Sequence, residues 1–328
     1  MTTFKEIRGQ LIRSVSTDPA NPQEGQIWYN NTIGVLKGYI SSGAAFSSGG
    51  NLLLASRGLA GTGTKTAALG FGGNAPPGIT SKTQEYDGSN WSEGGAMSTG
   101  RAYLAGFGTQ TAGVAAGGFV SAPDRFRNDT EEYNGTSWTA GGNMTTGRDI
   151  LSGTGIETAG LVFGGFEPGN TGKTEEYNGS TWSETGDLST ARRGAGRAGT
   201  QTAALAFGGD TPSGTPTLTD TMEVFGGTSW TSGPSLAFAV EGMGSGGTET
   251  SALCVGGNRP GVSGTTLQYD GTSWTTASGS LATARADMGS GCSNKTSGVV
   301  FGGYTPSTTA VTEEFSDPLI EVKTLTTS

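Results

Sequence analysis

The chain contains no histidine in 328 residues. That absence excludes His–carboxylate triads, imidazole acid–base chemistry and most zinc and copper sites. Two cysteines, Cys254 and Cys292, are too few for a disulfide framework or an iron–sulfur site. Charged residues make up only 14% and hydrophobic ones 33%, so neither a helical bundle nor a membrane protein fits. No apolar run approaches about 18 residues, and no charged-then-apolar leader opens the chain, so neither membrane insertion nor an export signal is expected. A net charge of −9 disfavours nucleic acid and anionic membrane surfaces as partners. What the chain has in excess is glycine, at 60 positions, more than twice the usual share of about 7%. With Thr and Ser in place of helix formers, this composition suits either disorder or many short strands joined by tight turns.

Internal repeats decide against disorder. Gly-Gly recurs at 72/73, 117/118, 164/165, 208/209, 256/257 and 302/303, in steps of 44 to 48 residues. An aromatic residue follows each pair, at Tyr86, Tyr133, Tyr177, Phe225, Tyr269 and Phe315. Trp91, Trp138, Trp182, Trp230 and Trp274 come five residues after the first five of these. Thr66, Thr111, Thr158, Thr202, Thr250 and Thr296 stand six residues before each Gly-Gly. Each unit reads as four short antiparallel strands. A Gly/Ala-rich strand turns through a tight hairpin into a strand that ends at Gly-Gly. A third strand such as Thr130–Tyr133 then turns through Asn134-Gly135, a strong hairpin signal, into the strand that carries the Trp. One such sheet cannot bury both faces, so the pattern predicts six blades closed into a β-propeller.

The order Gly-Gly, aromatic, Trp resembles the kelch repeat, and the resemblance covers about residues 44–316. An Arg before the first strand fits too: Arg57, Arg101, Arg148, Arg192 and Arg285, with Val240 closing the one junction that lacks it. The segments Gly199–Gly209 and Thr174–Trp182 are more closely similar to kelch-like proteins of tailed bacteriophages. That resemblance implies an all-β, six-bladed kelch-like propeller and a non-enzymatic structural protein located in the virion, on tail, neck or head. It implies no cofactor. Galactose oxidase, a kelch relative, needs histidine copper ligands that this chain lacks. Two alternatives stand beside it: a polysaccharide depolymerase, and a cellular kelch scaffold for protein partners.

The division expected is an arm with a hairpin over residues 1–43 and a propeller over 44–328. Pro19, Pro22 and Gly25 predict an extended run, followed by a hairpin of Gln26–Asn30 and Val35–Ile40. The string from Gly25 to Tyr39 resembles openings of phage tail proteins, which implies attachment to other virion proteins through residues 1–43 and homo-oligomers on the particle. Its alternative reading is a capping hairpin. The last repeat has no Trp after Phe315, while Phe46-Ser-Ser-Gly-Gly-Asn-Leu52 matches the stretch from Trp138 to Met144. Phe46 is therefore expected to take the missing Trp position and close the ring, with the C-terminal Leu319–Thr326 or a composite seventh blade as alternatives.

No catalytic or metal-binding set emerges. The regular spacing of Trp91, Trp138, Trp182, Trp230 and Trp274 points to packing between blades rather than sugar stacking. Asp87-Gly-Ser-Asn-Trp91 and Asp270-Gly-Thr-Ser-Trp274 echo the Asp-box of sialidases, but Asn134, Asn178 and Gly226 replace the Asp, so the position needs a turn and not a charge. The paired glutamates Glu131-Glu132, Glu175-Glu176 and Glu313-Glu314 point to opposite sheet faces, with Arg or Thr of adjacent blades as the expected partners. The repeated arginines could ring the channel mouth and hold an anion, though salt bridges are the stronger reading. Asp124 and Asp129 share one loop without a sign of coupling. The connections after Gly-Gly vary most: 74–82, 119–129, 166–173, 210–221, 258–265 and 304–311. They carry Phe119, Arg125, Phe126, Arg127, Phe166, Arg259 and Tyr304, residue types favoured at binding hot spots. This face is expected to bind a host-surface glycan, a receptor or a virion partner.

Overall fold

The structure is a computed structural model that describes residues 12–19, 26–40, 43–121, 125–212, 217–317 and 321–325. No helix occurs among the described residues, so none is long and apolar enough to cross a membrane. The chain divides into two compact units, Met1–Ala44 with Asp317–Ser328, and Ala45–Ser316.

The first unit is a four-stranded sheet in the order Arg13–Val15, Ile27–Asn30, Val35–Ile40, Glu321–Leu325. Asn30 pairs with Val35 across a turn that ends at Gly34, whose φ of +68° suits glycine. Arg13–Val15 lies parallel to Ile27–Asn30 on its other side. One carboxylate organises this unit. Asp18 Oδ1 accepts from Trp28 Nε1 at 3.0 Å and Asn30 Nδ2 at 2.8 Å, while Oδ2 accepts from Lys37 Nζ. The Lys37 bond, then those of Asn30 and Trp28, hold its pKa down to about 2.

The second unit holds six four-stranded antiparallel sheets, numbered here in chain order by their inner strands. These are Ala60–Thr64, Ala105–Gly108, Ser152–Ile156, Gly196–Gly199, Gly244–Thr248 and Gly289–Asn294. The outer strand of the sixth sheet is Ala45–Ser48, with Phe46 opposite Phe315 and the two rings 5.0 Å apart. That pairing fills the edge of Thr312–Ser316, so the C-terminal Glu321–Leu325 has no place there and pairs with Val35–Ile40 instead. The compact unit that holds the six sheets runs over Ala45–Ser316, and Glu321–Leu325 shares a separate sheet with the N-terminal strands.

The repeat landmarks have physical reasons. Both glycines of every Gly-Gly adopt positive φ, near +65° and +100° at 72/73, where a side chain costs about 1–2 kcal/mol. The second N–H then bonds to the next sheet: Gly73 to Arg101 O, Gly118 to Arg148 O, Gly165 to Arg192 O, Gly209 to Val240 O, Gly257 to Arg285 O and Gly303 to Ser56 O. The sixth sheet thereby connects back to the first. Five of the six junctions are also filled by a Trp that reaches the preceding sheet, and Phe46 holds the equivalent position in the sixth sheet. Trp91, Trp138, Trp182 and Trp230 donate Nε1 to Thr312, Thr83, Thr130 and Thr174 at 2.8–3.0 Å. Trp274 meets Met222 in the equivalent slot.

The arginines sit in the sheets and not at the channel mouth. Arg101, Arg148, Arg192 and Arg285 are fully buried and pair with Glu131, Glu175, Glu223 and Glu313 at 2.8–3.0 Å. These partners belong to the same sheet, which corrects the expectation of adjacent ones. The second glutamate of a pair faces the other way and accepts from the next sheet's Tyr: Tyr86 to Glu314, Tyr133 to Glu85 and Tyr177 to Glu132. Arg57 does not belong to the column, because the Gly303 bond places Ser56 there. In that first sheet Gln84 replaces the first glutamate and accepts from the Leu53 N–H at 2.6 Å. In the fifth sheet the pair becomes Val240 and Leu267, both buried in one apolar cluster.

Candidate binding face

The residue after each Gly-Gly forms a β-bridge with the residue that enters the next turn of the ring: Arg57 with Asn74, Ala102 with Phe119, Asp149 with Phe166, Arg193 with Asp210, Glu241 with Asn258 and Ala286 with Tyr304. The residues that follow, Gly58, Tyr103, Ile150, Gly194, Gly242 and Asp287, all have φ between +53° and +61°. Each donates its N–H to the carbonyl of its counterpart in the preceding sheet, and Gly58 donates to Asp287. Six bonds of 2.6–3.0 Å close a backbone ring on the same face as the variable connections. Three of its members carry side chains in the left-handed region, which costs about 1–3 kcal/mol each and marks the mouth as a strained place.

Outside that ring, the connection after Gly117-Gly118 folds back on itself. Phe119 bridges Phe126, Val120 N–H bonds to Arg125 O, and Arg127 N–H bonds to Gly118 O. The exposed Arg125 guanidinium lies 5.4 Å from the Phe119 ring centre and 5.5 Å from that of Phe126. Phe126 in turn meets Phe166 of the third sheet at 5.8 Å. Arg193 covers Phe166 at 5.5 Å and ion-pairs Asp210 at 2.8 Å. An alternating ladder, Arg125, Phe119 and Phe126, Phe166, Arg193, Asp210, thus crosses three sheets. Cation–π pairs at such exposed sites contribute about 0.5–1 kcal/mol each, so the ladder is a presented surface more than a stabilising element.

Phe119, Arg125, Phe126 and Phe166 are therefore brought together, and three of the expected residues are not. Arg127 turns to Asp129, with Nε 2.7 Å from Oδ1. Arg259 stacks on Phe238 at 3.8 Å, and Tyr304 lies under Arg57 at 4.9 Å. Arg193 and Asp149 were missed, and Arg57 was placed in the repeat column instead of on this face. The doubled Arg192-Arg193 carried a signal for the first, since one arginine fills the repeat column and the next must face elsewhere. Asp149 is buried with Oδ1 unpartnered. Burial pushes its carboxyl up to about 6, against the pull of Arg125 and then Arg193. Asp287 on the ring is raised to about 6 as well, by burial and then by Glu241.

No free acid pair accompanies these groups in the variable loops described. Asp129 is held by both Arg101 and Arg127, and Asp124 lies outside the described residues. Nor do the described residues bring together three or more Cys, Asp or Glu in a cluster suited to a metal ion. On the opposite face the connections are turns with local partners. Asp87, Asn134, Asn178 and Asp270 each accept backbone N–H groups two and three residues ahead. These bonds hold the Asp270 carboxyl at about 2, its own Thr272 hydroxyl contributing most.

No protein-family model matches the chain, and no curated protein matches it. Among solved structures it is similar to "Structure of YjhT", with a TM-score of 0.67 and 16% identity over 82% of this chain and 96% of that one. At that identity the likeness concerns the fold alone. Together with the four-stranded antiparallel sheets it supports a β-propeller.

Proposed function

We propose that this chain is a non-enzymatic structural protein of a tailed-phage virion, a six-bladed kelch-like propeller that binds a host-surface glycan or a virion partner through its variable face. The observation that carries the reading is the ladder from Arg125 to Arg193, set where the repeats differ. Aromatic faces suit the apolar face of a sugar or a partner side chain, and the planar guanidinium supplies several donors to hydroxyls or carboxylates. Support for the phage setting comes from the repeat wording at Gly199–Gly209 and Thr174–Trp182 and from the opening string up to Tyr39. The first unit, with its own sheet and its Asp18 centre, is the mount. Copies assembled on the particle would present several such faces at once.

The test is location and attachment. Immunogold labelling should place the chain on particles of the phage that encodes it. Deleting residues 1–24 removes Arg13–Val15 and Asp18 but leaves Ala45–Ser316 whole, so the propeller should still melt cooperatively while incorporation fails. Particles that carry no label, or that incorporate the truncated chain normally, would overturn the reading.

A further inference from the structure

The second unit has a channel along its inner strands, and one residue breaks its pattern. At the inner-strand position opposite the residue two before Gly-Gly, three sheets have Gly61, Gly106 and Gly153, and two have Ser245 and Ser290. The fourth sheet has Arg197. Close packing favours small residues in this column: a Cβ on Gly61 would stand 2.3 Å from Ser290 N, and one on Gly106 2.8 Å from Ala60 Cβ. The Arg197 side chain reaches across to the first sheet, where Nη2 donates to Gly61 O at 2.8 Å.

Two cavities, of about 170 and 90 Å³, both have Arg197 in their walls. The residues lining the larger one include no carboxylate. Burial lowers the guanidinium pKa; the Cys292 thiol, in the wall of the larger cavity, is itself pushed up to about 12 and so neutral, and Asp287 stands in the wall of the smaller cavity only. Arg101, Arg148, Arg192 and Arg285 each have a glutamate, whereas Arg197 has a carbonyl oxygen. A guanidinium stays charged at neutral pH, and Arg197, half-buried where those four are fully buried, has no ion pair among the described residues, which leaves its charge open to an anion in the channel.

We infer that the channel is an anion site, in which Arg197 binds a small carboxylate in the larger cavity. A water needs about 10–15 Å³ of such space, so a carboxylate of a few heavy atoms fits with water around it. The planar fork of Arg197 matches a carboxylate in two parallel bonds. Ser245 Oγ accepts from the Arg197 backbone N–H at 3.0 Å and keeps its own hydrogen to donate. A single cation favours a monoanion over sulfate. This site is independent of the ladder on the outer face.

Acetate is the probe. The full chain is labelled with 15N, and the Arg197 Nε–Hε resonance is assigned by its loss in Arg197→Ser, the residue found at this position in the fifth and sixth sheets. Parallel titrations with sodium acetate, chloride and sulfate follow at equal ionic strength. Acetate should shift that resonance saturably at millimolar concentration, with weaker, non-saturating responses to the other two. It should also raise the melting temperature of the parent and not of Arg197→Ser. Arg197→Gln serves as a second variant for both readings should the serine variant fail to fold. An unchanged resonance, an equal response to all three salts, or the same thermal gain in the variants would overturn the inference.

Discussion

The two ends of the propeller are built from the same six repeats and treat them in opposite ways. At the turn end, Thr111 packs against Gly135 and Thr158 against Gly179, and the same contact recurs in the other repeats with an Asn-Gly or Asp-Gly turn. Gln110 and Gln201 each bridge to two carbonyls of the preceding sheet. At the loop end the connections range from the short ribbon Asn74–Ala75 with Gly78–Ile79 to the long hairpin Ser251–Arg259 with Gly261–Tyr269. The difference teaches where the fold is specified. Contacts that join sheets recur at both ends, but at the loop end they are backbone bonds of the inner ring from Gly58 to Asp287, and so the connections outside that ring are free to differ.

If that is right, damage between sheets should be costly and damage at the loop end should not. The largest effect is expected from deleting residues 1–50, which removes Ala45–Ser48 and leaves the sixth sheet with an open edge. Calorimetry should show loss of cooperative melting. A transition like the parent's would mean that the closing strand is dispensable.

Next comes the buried ion pair. Arg148→Val strands Glu175 in the interior and should cost about 3–5 kcal/mol by urea denaturation. Adding Glu175→Leu to Arg148→Val copies the Val240 and Leu267 solution of the fifth sheet, and should recover most of that loss. A double variant as weak as the single one would show that the slot needs charge and not merely a filled, satisfied space.

Asp149 gives a smaller, pH-dependent effect. Its folded pKa of about 6 lies above the ordinary carboxyl value of 3.8. Its contribution is therefore fully present below the ordinary value and is lost as pH rises through about 6. Asp149→Asn should raise stability at pH 8 by on the order of 2 kcal/mol and change little at pH 4. Melting curves that shift equally at both pH values would contradict the raised carboxyl. The smallest effect belongs to the ladder: Arg125→Ser with Phe126→Ser should cost no more than about 1 kcal/mol, the worth of an aromatic pair at most.

These expectations also explain what was legible in the sequence. Gly-Gly and the Trp column could be read because each copy meets an equivalent partner, so the fold repeats as the spacing does. The second unit's separation from Glu321–Leu325 could not be read, because that strand is as apolar as one that would close the ring. Arg57 was misplaced because two arginine positions, adjacent in sequence, serve different ends: one is buried with a glutamate and the next faces the loops, as Arg192 and Arg193 show. Of the site, the loop hosting Phe119, Arg125 and Phe126 was evident from its composition. Its junction with Phe166 and Arg193 was not, since three different repeats supply the ladder and no periodicity links residues that occur once. Arg197 was visible as the odd residue in a column of glycine and serine, but only once the inner strands are aligned with each other.

The central claim is that the variable end is the recognition surface. The most direct measurement compares binding to host cells, or to the virion partner, by two folded variants. One is Arg125→Ser, Phe126→Ser, Arg127→Ser at the loop end; the other is Thr136→Arg, Ser229→Arg at exposed positions of the turn end. The account predicts at least a tenfold loss of affinity for the first, or about 1.4 kcal/mol, and parental binding for the second. Undiminished binding by the loop variant, or an equal loss in both, would contradict it.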